Sequence, residues 1–202
     1  DLDAFTVAGG TLFFRANDGT HGNELWKSDG TEDGTVLVKD ISSTGTVSNR
    51  IVSFGNIVYF GANDGSIGDE LWRSDGTEDG TYLVKDIYPG YGSSNPQQMT
   101  PIGDRLFFTA DDGETGDEVW ISDGTESGTV LVANVNQNEY NSNPVEYVKL
   151  GNLIVFAAHL GTQRLVSYDP TDILYHSNEG MHWSISPSLP EVSSISDLIV
   201  FS

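Results

Sequence analysis

Carboxylates are the side chains in this 202-residue chain best placed to do chemistry: thirty Asp and Glu stand against nine Lys and Arg, a net charge of −21. Many of them recur in glycine-bearing turns. One set is Asn17-Asp18-Gly19 with Asn23-Glu24, Asn63-Asp64-Gly65 with Asp69-Glu70, and Asp111-Asp112-Gly113 with Asp117-Glu118; a second is Asp29/Glu32/Asp33, Asp75/Glu78/Asp79 and Asp123/Glu126. A hard cation takes roughly six to eight oxygens from flexible acidic loops. The expected metal ligands are therefore Asp18, Glu24, Asp64, Glu70, Asp112 and Glu118, holding Ca²⁺. The spacing is neither that of an EF-hand nor of a nonapeptide calcium repeat. On the competing reading, Asp and Asn accept hydrogen bonds from nearby backbone N–H groups and hold the turns.

Tryptophan comes next. Trp26, Trp72 and Trp120 are 46 and 48 residues apart, each inside a copy of one motif: Glu24-Leu25-Trp26-Lys27-Ser28-Asp29-Gly30-Thr31, with equivalents at 70–77 and 118–125. An exposed aromatic platform would stack on a sugar, whereas a large aromatic at a fixed place in a repeat more often fills the space between neighbouring units. The structural assignment is preferred for Trp26, Trp72, Trp120, Phe14, Phe60, Phe108 and Phe156. Lys27 and Arg73, on the opposite strand face, are expected to pair with local carboxylates. Histidine is sparse (His21, His159, His176 and His182), with no His-Glu-x-x-His and no phosphate-cradling Gly-x-x-x-x-Gly-Lys, so no catalytic constellation emerges. The negative charge disfavours nucleic acid and anionic membrane surfaces. No apolar run is long enough to span a bilayer, and without cysteine there is neither a disulfide nor a thiolate site.

The elements that must position these residues are short strands. Ala4 to Ala8, Thr11 to Ala16, Glu24 to Ser28 and Val36 to Ile41 are rich in Val, Leu, Phe and Trp. They are separated by Gly-Gly, Asp-Gly and Asn-Asp-Gly turns that reach positive φ cheaply. The strand ending at Phe14 recurs with Phe60, Phe108, Phe156 and Phe201, giving repeats at 1–49, 50–98, 99–147, a degenerate 148–191, and the start of a fifth at 192–202. Four strands per roughly 45-residue unit predict an all-β, β-propeller-like repeat of four-stranded antiparallel blades, with a β-solenoid as the alternative. The adjacent Phe13 and Phe14 point to opposite faces, so both sides of that strand must be covered. Ile199-Val200-Phe201 cannot share the place of Leu12-Phe13-Phe14, so the expectation is a segment of a larger propeller or array.

The Glu-Leu-Trp-x-x-Asp-Gly-Thr pattern followed by Gly-Thr-x-Leu-Val-Lys-Asp-Ile resembles the ELWxxDGT repeat family of large bacterial secreted and surface proteins. Residues 24–41 and 70–87 carry the whole pattern, and 118–135 carry it with Val119 for leucine and Ala133-Asn134-Val135 for Lys-Asp-Ile. The resemblance covers residues 1 to about 147. It implies a secreted or cell-surface location and a propeller-like repeat, without a defined catalytic activity. Residues 174–183 are similar to the Asp-box turn of sialidase-like propellers, with His176, Asn178 and His182 replacing the usual residues. The expected function is a non-enzymatic extracellular scaffold for adhesion, matrix or fibre assembly or ligand display, stabilised by Ca²⁺. Its expected partners are a surface protein or glycan, or further copies of itself. A lectin-like propeller and a sialidase-like glycan-active domain are the alternatives.

Overall fold

The computed structural model describes residues 2–42, 47–135, 141–151, 153–159, 163–168 and 183–185. Every regular element among them is a strand, and the strands form four antiparallel sheets of four, each in chain order. Sheet 1 contains β1 (Leu2–Ala8), β2 (Thr11–Asn17), β3 (Asn23–Ser28) and β4 (Val36–Leu37). Sheet 2 contains β5 (Ile51–Phe54), β6 (Ile57–Ala62), β7 (Glu70–Ser74) and β8 (Tyr82–Lys85). Sheet 3 contains β9 (Gln97–Ile102), β10 (Arg105–Asp111), β11 (Asp117–Ser122) and β12 (Val130–Ala133). Sheet 4 contains β13 (Val145–Leu150), β14 (Leu153–His159), β15 (Gln163–Tyr168) and β16 (Trp183–Ile185). The Asp-box-like turn before Trp183 and the fifth repeat fall outside the described residues, as do His176 and His182.

The register explains why the motif repeats. Phe14 pairs with Trp26, Phe60 with Trp72 and Phe108 with Trp120; in sheet 4 Phe156 pairs with Val166. Directly opposed aromatic pairs are among the stronger cross-strand contacts, about 0.2–1 kcal/mol each. Neighbouring sheets interlock through the preceding residue. Phe13 packs with Val58, Phe60 and Trp72, and Tyr59 and Leu71 pack with Leu106, Phe108 and Trp120. Phe107 and Ile121 pack with Ile154 and Phe156. The second strands of sheets 2 and 3 are thus covered on both faces, as the Phe13–Phe14 alternation requires.

The expected fourth strand Val36–Ile41 is shorter than its composition suggests, only Val36–Leu37. Val38 still donates to the Leu25 carbonyl at 2.9 Å, but beyond it the backbone N–H groups of Ile41 and Ser42 turn to the Glu24 carboxylate. A buried carboxylate accepts what the ladder would otherwise have taken.

The first strands of successive sheets meet, β1 with β5, β5 with β9 and β9 with β13, so the sheets gather along one edge. Three of these strands are bulged: register slips between Asp3 and Thr6, opposite Phe107 and Thr109, and between Val145 and Val148. The bulges hold Ala4, Gln98 and Glu146 at φ of 57°, 53° and 60°, conformations that cost a side-chain-bearing residue about 1 kcal/mol or more. Strand β5 pairs without a slip. Between Ser48 and Phe60 the second repeat is two residues shorter than the third between Ser94 and Phe108. That deletion removes the bulge.

Candidate functional site

The repeated polar residues point inward. Glu24, Glu70 and Glu118 are fully buried. Glu70 Oε2 accepts the Ile87 N–H at 2.8 Å, and Oε1 accepts the Ser94 N–H at 3.0 Å. Glu118 Oε2 accepts the Val135 N–H at 2.9 Å and the Ser142 hydroxyl at 2.6 Å. Glu70 and Glu118 therefore tie the stretch leaving the fourth strand to the start of the next unit, and Glu24 holds the stretch leaving β4 through Ile41 and Ser42. Burial pushes the Glu24 carboxyl up to about 7, against the opposing pull of the Ser42 and Ile41 N–H groups, and burial likewise raises Glu70.

The other expected metal ligands occupy the exposed turns. Asp18 Oδ1 accepts the N–H groups of Thr20 and His21, Asp64 Oδ1 those of Ser66 and Ile67, and Asp112 Oδ1 those of Glu114 and Thr115, all within 2.7–3.2 Å. These N–H bonds engage one oxygen of each carboxylate. Among the described residues, no three His, Asp or Glu side chains converge on one point. The acidic turns are thus held by their own backbone, and Asp18, Asp64 and Asp112 are not brought together with Glu24, Glu70 and Glu118 into a cage.

The motif turn is built the same way three times. Asp29 Oδ1 accepts the Thr31 N–H and hydroxyl, Thr31 Oγ1 accepts the Gly34 N–H, and the Thr35 hydroxyl donates to the Thr31 carbonyl. Equivalent bonds recur around Asp75 and Asp123. A Cβ on Gly34, Gly80 or Gly128 would fall 2.0 Å from that aspartate's Oδ1, so any larger residue there would displace the carboxylate that holds the turn. The hydrogen bonds from its threonine hold the Asp75 carboxyl below its ordinary range, with Asp29 and Asp123 alike.

Lys27 and Arg73 were expected to meet carboxylates; they reach the next unit's turn instead. Lys27 Nζ donates to the Gly76 carbonyl at 2.7 Å, and Arg73 donates to the Gly124 carbonyl at 3.4 Å while its guanidinium lies 5.2 Å from the Tyr82 ring centroid. Lys39 and Lys85 do the same one strand later, to the Thr81 and Thr129 carbonyls at 2.7 and 2.8 Å. Sequence reasoning missed these links because the acceptors are backbone groups, which no residue type announces.

Trp72 and Trp120 are each only 6% exposed, which removes them as sugar platforms, while Trp26 is partly exposed. An Asp–His pair does exist: His21 Nδ1 lies 2.7 Å from Asp18 Oδ2, and the hydrogen bond raises the imidazole above its usual range. Among the described residues, no hydroxyl bonds to its other ring nitrogen.

One cavity of about 360 Å³ opens between β5 and β9, lined by Arg50, Ile51, Val52, Gln98, Met99 and Thr100. It lies where an unbulged strand faces a bulged one, with a cation, an amide and a hydroxyl above apolar walls. The one sequence signal for it is the 46-residue spacing, against 48 in the next repeat.

No protein-family model matches the chain, and no curated protein does. Solved structures do match. A puromycin hydrolase aligns at 15% identity and a TM-score of 0.52, over 85% of this chain and 27% of that one. A prolyl endopeptidase aligns at 11% identity and 0.53, over 94% and 28%. The Bacteroides ovatus xyloglucan PUL GH43B protein aligns at 15% and 0.42, over 94% and 41%. The chain spans about a quarter of the length of the puromycin hydrolase and of the prolyl endopeptidase. The first two likenesses show the fold alone, an all-β, propeller-like architecture.

Proposed function

We propose that this chain is a non-enzymatic extracellular or cell-surface repeat scaffold, a segment of a larger propeller or open array that serves adhesion, matrix or fibre assembly, or ligand display. The observation that carries the reading is where the repeated polar residues go. The buried glutamates, the Asp–Thr–Gly turns and the cations at positions such as Lys85 all bond backbone groups, within a unit or across to the next. Such residues build a rigid stack and leave chemistry to whatever the loop tips carry. The resemblance to ELWxxDGT repeats supports the surface location, and a surface protein or glycan, or further copies of the chain, are the partners it would serve. Calcium would act as a stabiliser at the acidic turns. The test is twofold. Purified chain should give no turnover on peptide or glycoside reporter substrates, and turnover abolished by a single substitution would sink the scaffold reading. A thermal melt in calcium and then in chelator decides the metal, because an ion bound to the native state raises the midpoint by mass action.

A further inference from the structure

The links between units have a direction. The donor side of a unit presents an aromatic and two cations: Phe13, Lys27 and Lys39 in the first, and Tyr59, Arg73 and Lys85 in the second. The acceptor side of the following unit presents its Phe–Trp pair, the first glycine of the motif turn and two carbonyls. Gly76 and Thr81 fill these roles in the second unit, and Gly124 and Thr129 in the third. A Cβ on Gly76 would meet the Phe13 ring at 3.1 Å, and one on Gly124 would meet Tyr59 Oη at 2.4 Å and the Arg73 guanidinium at 2.9 Å.

The first unit has the same acceptor side, and there it is more exposed, although Phe5 of β1 stacks on Phe14 with ring centroids 6.0 Å apart. A Cβ on Gly30 would meet nothing within 4 Å. Leu12, Ala16 and Trp26 are partly exposed, whereas Val58, Ala62, Leu106 and Ala110 at the corresponding places of β6 and β10 are fully buried. Leu2, Phe5 and Val7 of β1 are more than half exposed beside them. Among the described residues, no cation reaches the carbonyls of Gly30 or Thr35.

We infer that this face of sheet 1 is the docking surface for one further repeat unit, which presents an aromatic at the Phe13 position and cations at the Lys27 and Lys39 positions. The inference rests on the reading of the chain as a segment of a larger assembly and names the missing neighbour's chemistry. The chain's third and fourth units lack these groups at the matching positions. The third has Ile121 and Ala133 where the cations stand, and the fourth has Val155 and Ser167 at the places of Phe13 and Lys27. The donor faces of the first two units are already occupied by sheets 2 and 3. Loss of both cations in the third unit coincides with loss of the motif turn in the fourth, as a paired donor–acceptor relation requires.

The experiment extends the whole chain at its start. One version carries a copy of residues 50–94 directly ahead of Asp1, the register in which the second unit meets the third. Another carries in its place 99–142, which has Ile121 and Ala133 at the two donor positions, and a third is the first version with Arg73→Met and Lys85→Met in the added copy only. Hydrogen exchange of residues 11–30 and sedimentation are measured for these and for the original chain. The expected result is at least tenfold slower exchange with the 50–94 copy, and most of that gain absent from the other two versions. Equal protection by all three would overturn the cation rule while leaving the array reading intact, and no protection by any would overturn both. An original chain that is already a dimer, with residues 11–30 protected, would make a second copy the occupant and overturn the inference.

Discussion

Glu24 gives the sharpest test of the reasoning. Its carboxyl is fully buried, and burial pushes it up to about 7 from an ordinary 4.5. The native state therefore keeps a proton that the unfolded chain releases between these two values. A group raised in this way adds stability at low pH and loses it as pH rises; the loss begins near pH 4.5 and is complete above about 7. A gap of about two and a half pH corresponds to about 3 kcal/mol, at 1.36 kcal/mol per unit. Glu24→Gln keeps the shape and cannot ionise, although its amide N–H₂ group faces backbone donors and costs a roughly constant 1–3 kcal/mol at every pH. Urea unfolding of both proteins at pH 4, 5, 6, 7 and 8 separates the two effects. The stability difference between wild type and Glu24→Gln should move in favour of the variant by about 3 kcal/mol between pH 4 and pH 8. A difference constant to within about 0.5 kcal/mol would show that Glu24 ionises as easily in the folded chain as outside it, and the burial argument would be wrong.

Other outcomes follow from the same contacts. Gly80→Ala should destabilise by about 2 kcal/mol because its Cβ would fall on the Asp75 carboxylate, and most of that loss should vanish when Asp75→Ala is already present, a coupling that denaturation of the four proteins reads. The Asp75 carboxyl is held below its ordinary value, so its stabilisation is present at neutral pH and lost as pH falls through the native value; Asp75→Asn should flatten the acid limb of the unfolding curve. Lys85→Met should cost about 1 kcal/mol and speed amide exchange in residues 124–131, since the Thr129 carbonyl loses its donor from the neighbouring sheet. Trp72→Ala should cost about 3–5 kcal/mol, and Trp26→Ala clearly less, because Trp72 is buried against sheet 1 whereas Trp26 is only partly buried; thermal unfolding distinguishes them.

Much of the architecture was readable from local patterns. The spacing of Phe14, Phe60, Phe108 and Phe156 marked the units, the Asp-Gly turns marked the hairpins, and the Phe13–Phe14 alternation required a neighbour on both sides. These signals work because turn chemistry and the two-residue strand period are properties of adjacent residues. The candidate site was less legible. Glu24, Glu70 and Glu118 look like surface acids beside acidic turns, and only the path of the chain back over β3, β7 and β11 buries them under N–H donors. Lys27 and Arg73 look like partners for nearby carboxylates, yet their acceptors are backbone carbonyls one unit away. The cavity at Arg50 and Gln98 depends on one strand lacking the bulge its neighbour has, a difference of two residues whose effect appears only once β5 and β9 lie side by side.

The sequence by itself thus determined the repeat, its four-stranded antiparallel unit and the geometry of its turns, because each of these depends on residues a few positions apart. Tertiary structure alone decided which charged groups are buried, which cations bridge the units and which sheet face is left uncovered. Those outcomes depend on contacts between residues 17 to 51 positions apart, such as Glu70 with Ile87 and Arg73 with Gly124. A side chain's burial is set by what packs over it, and that is fixed only when the sheets meet.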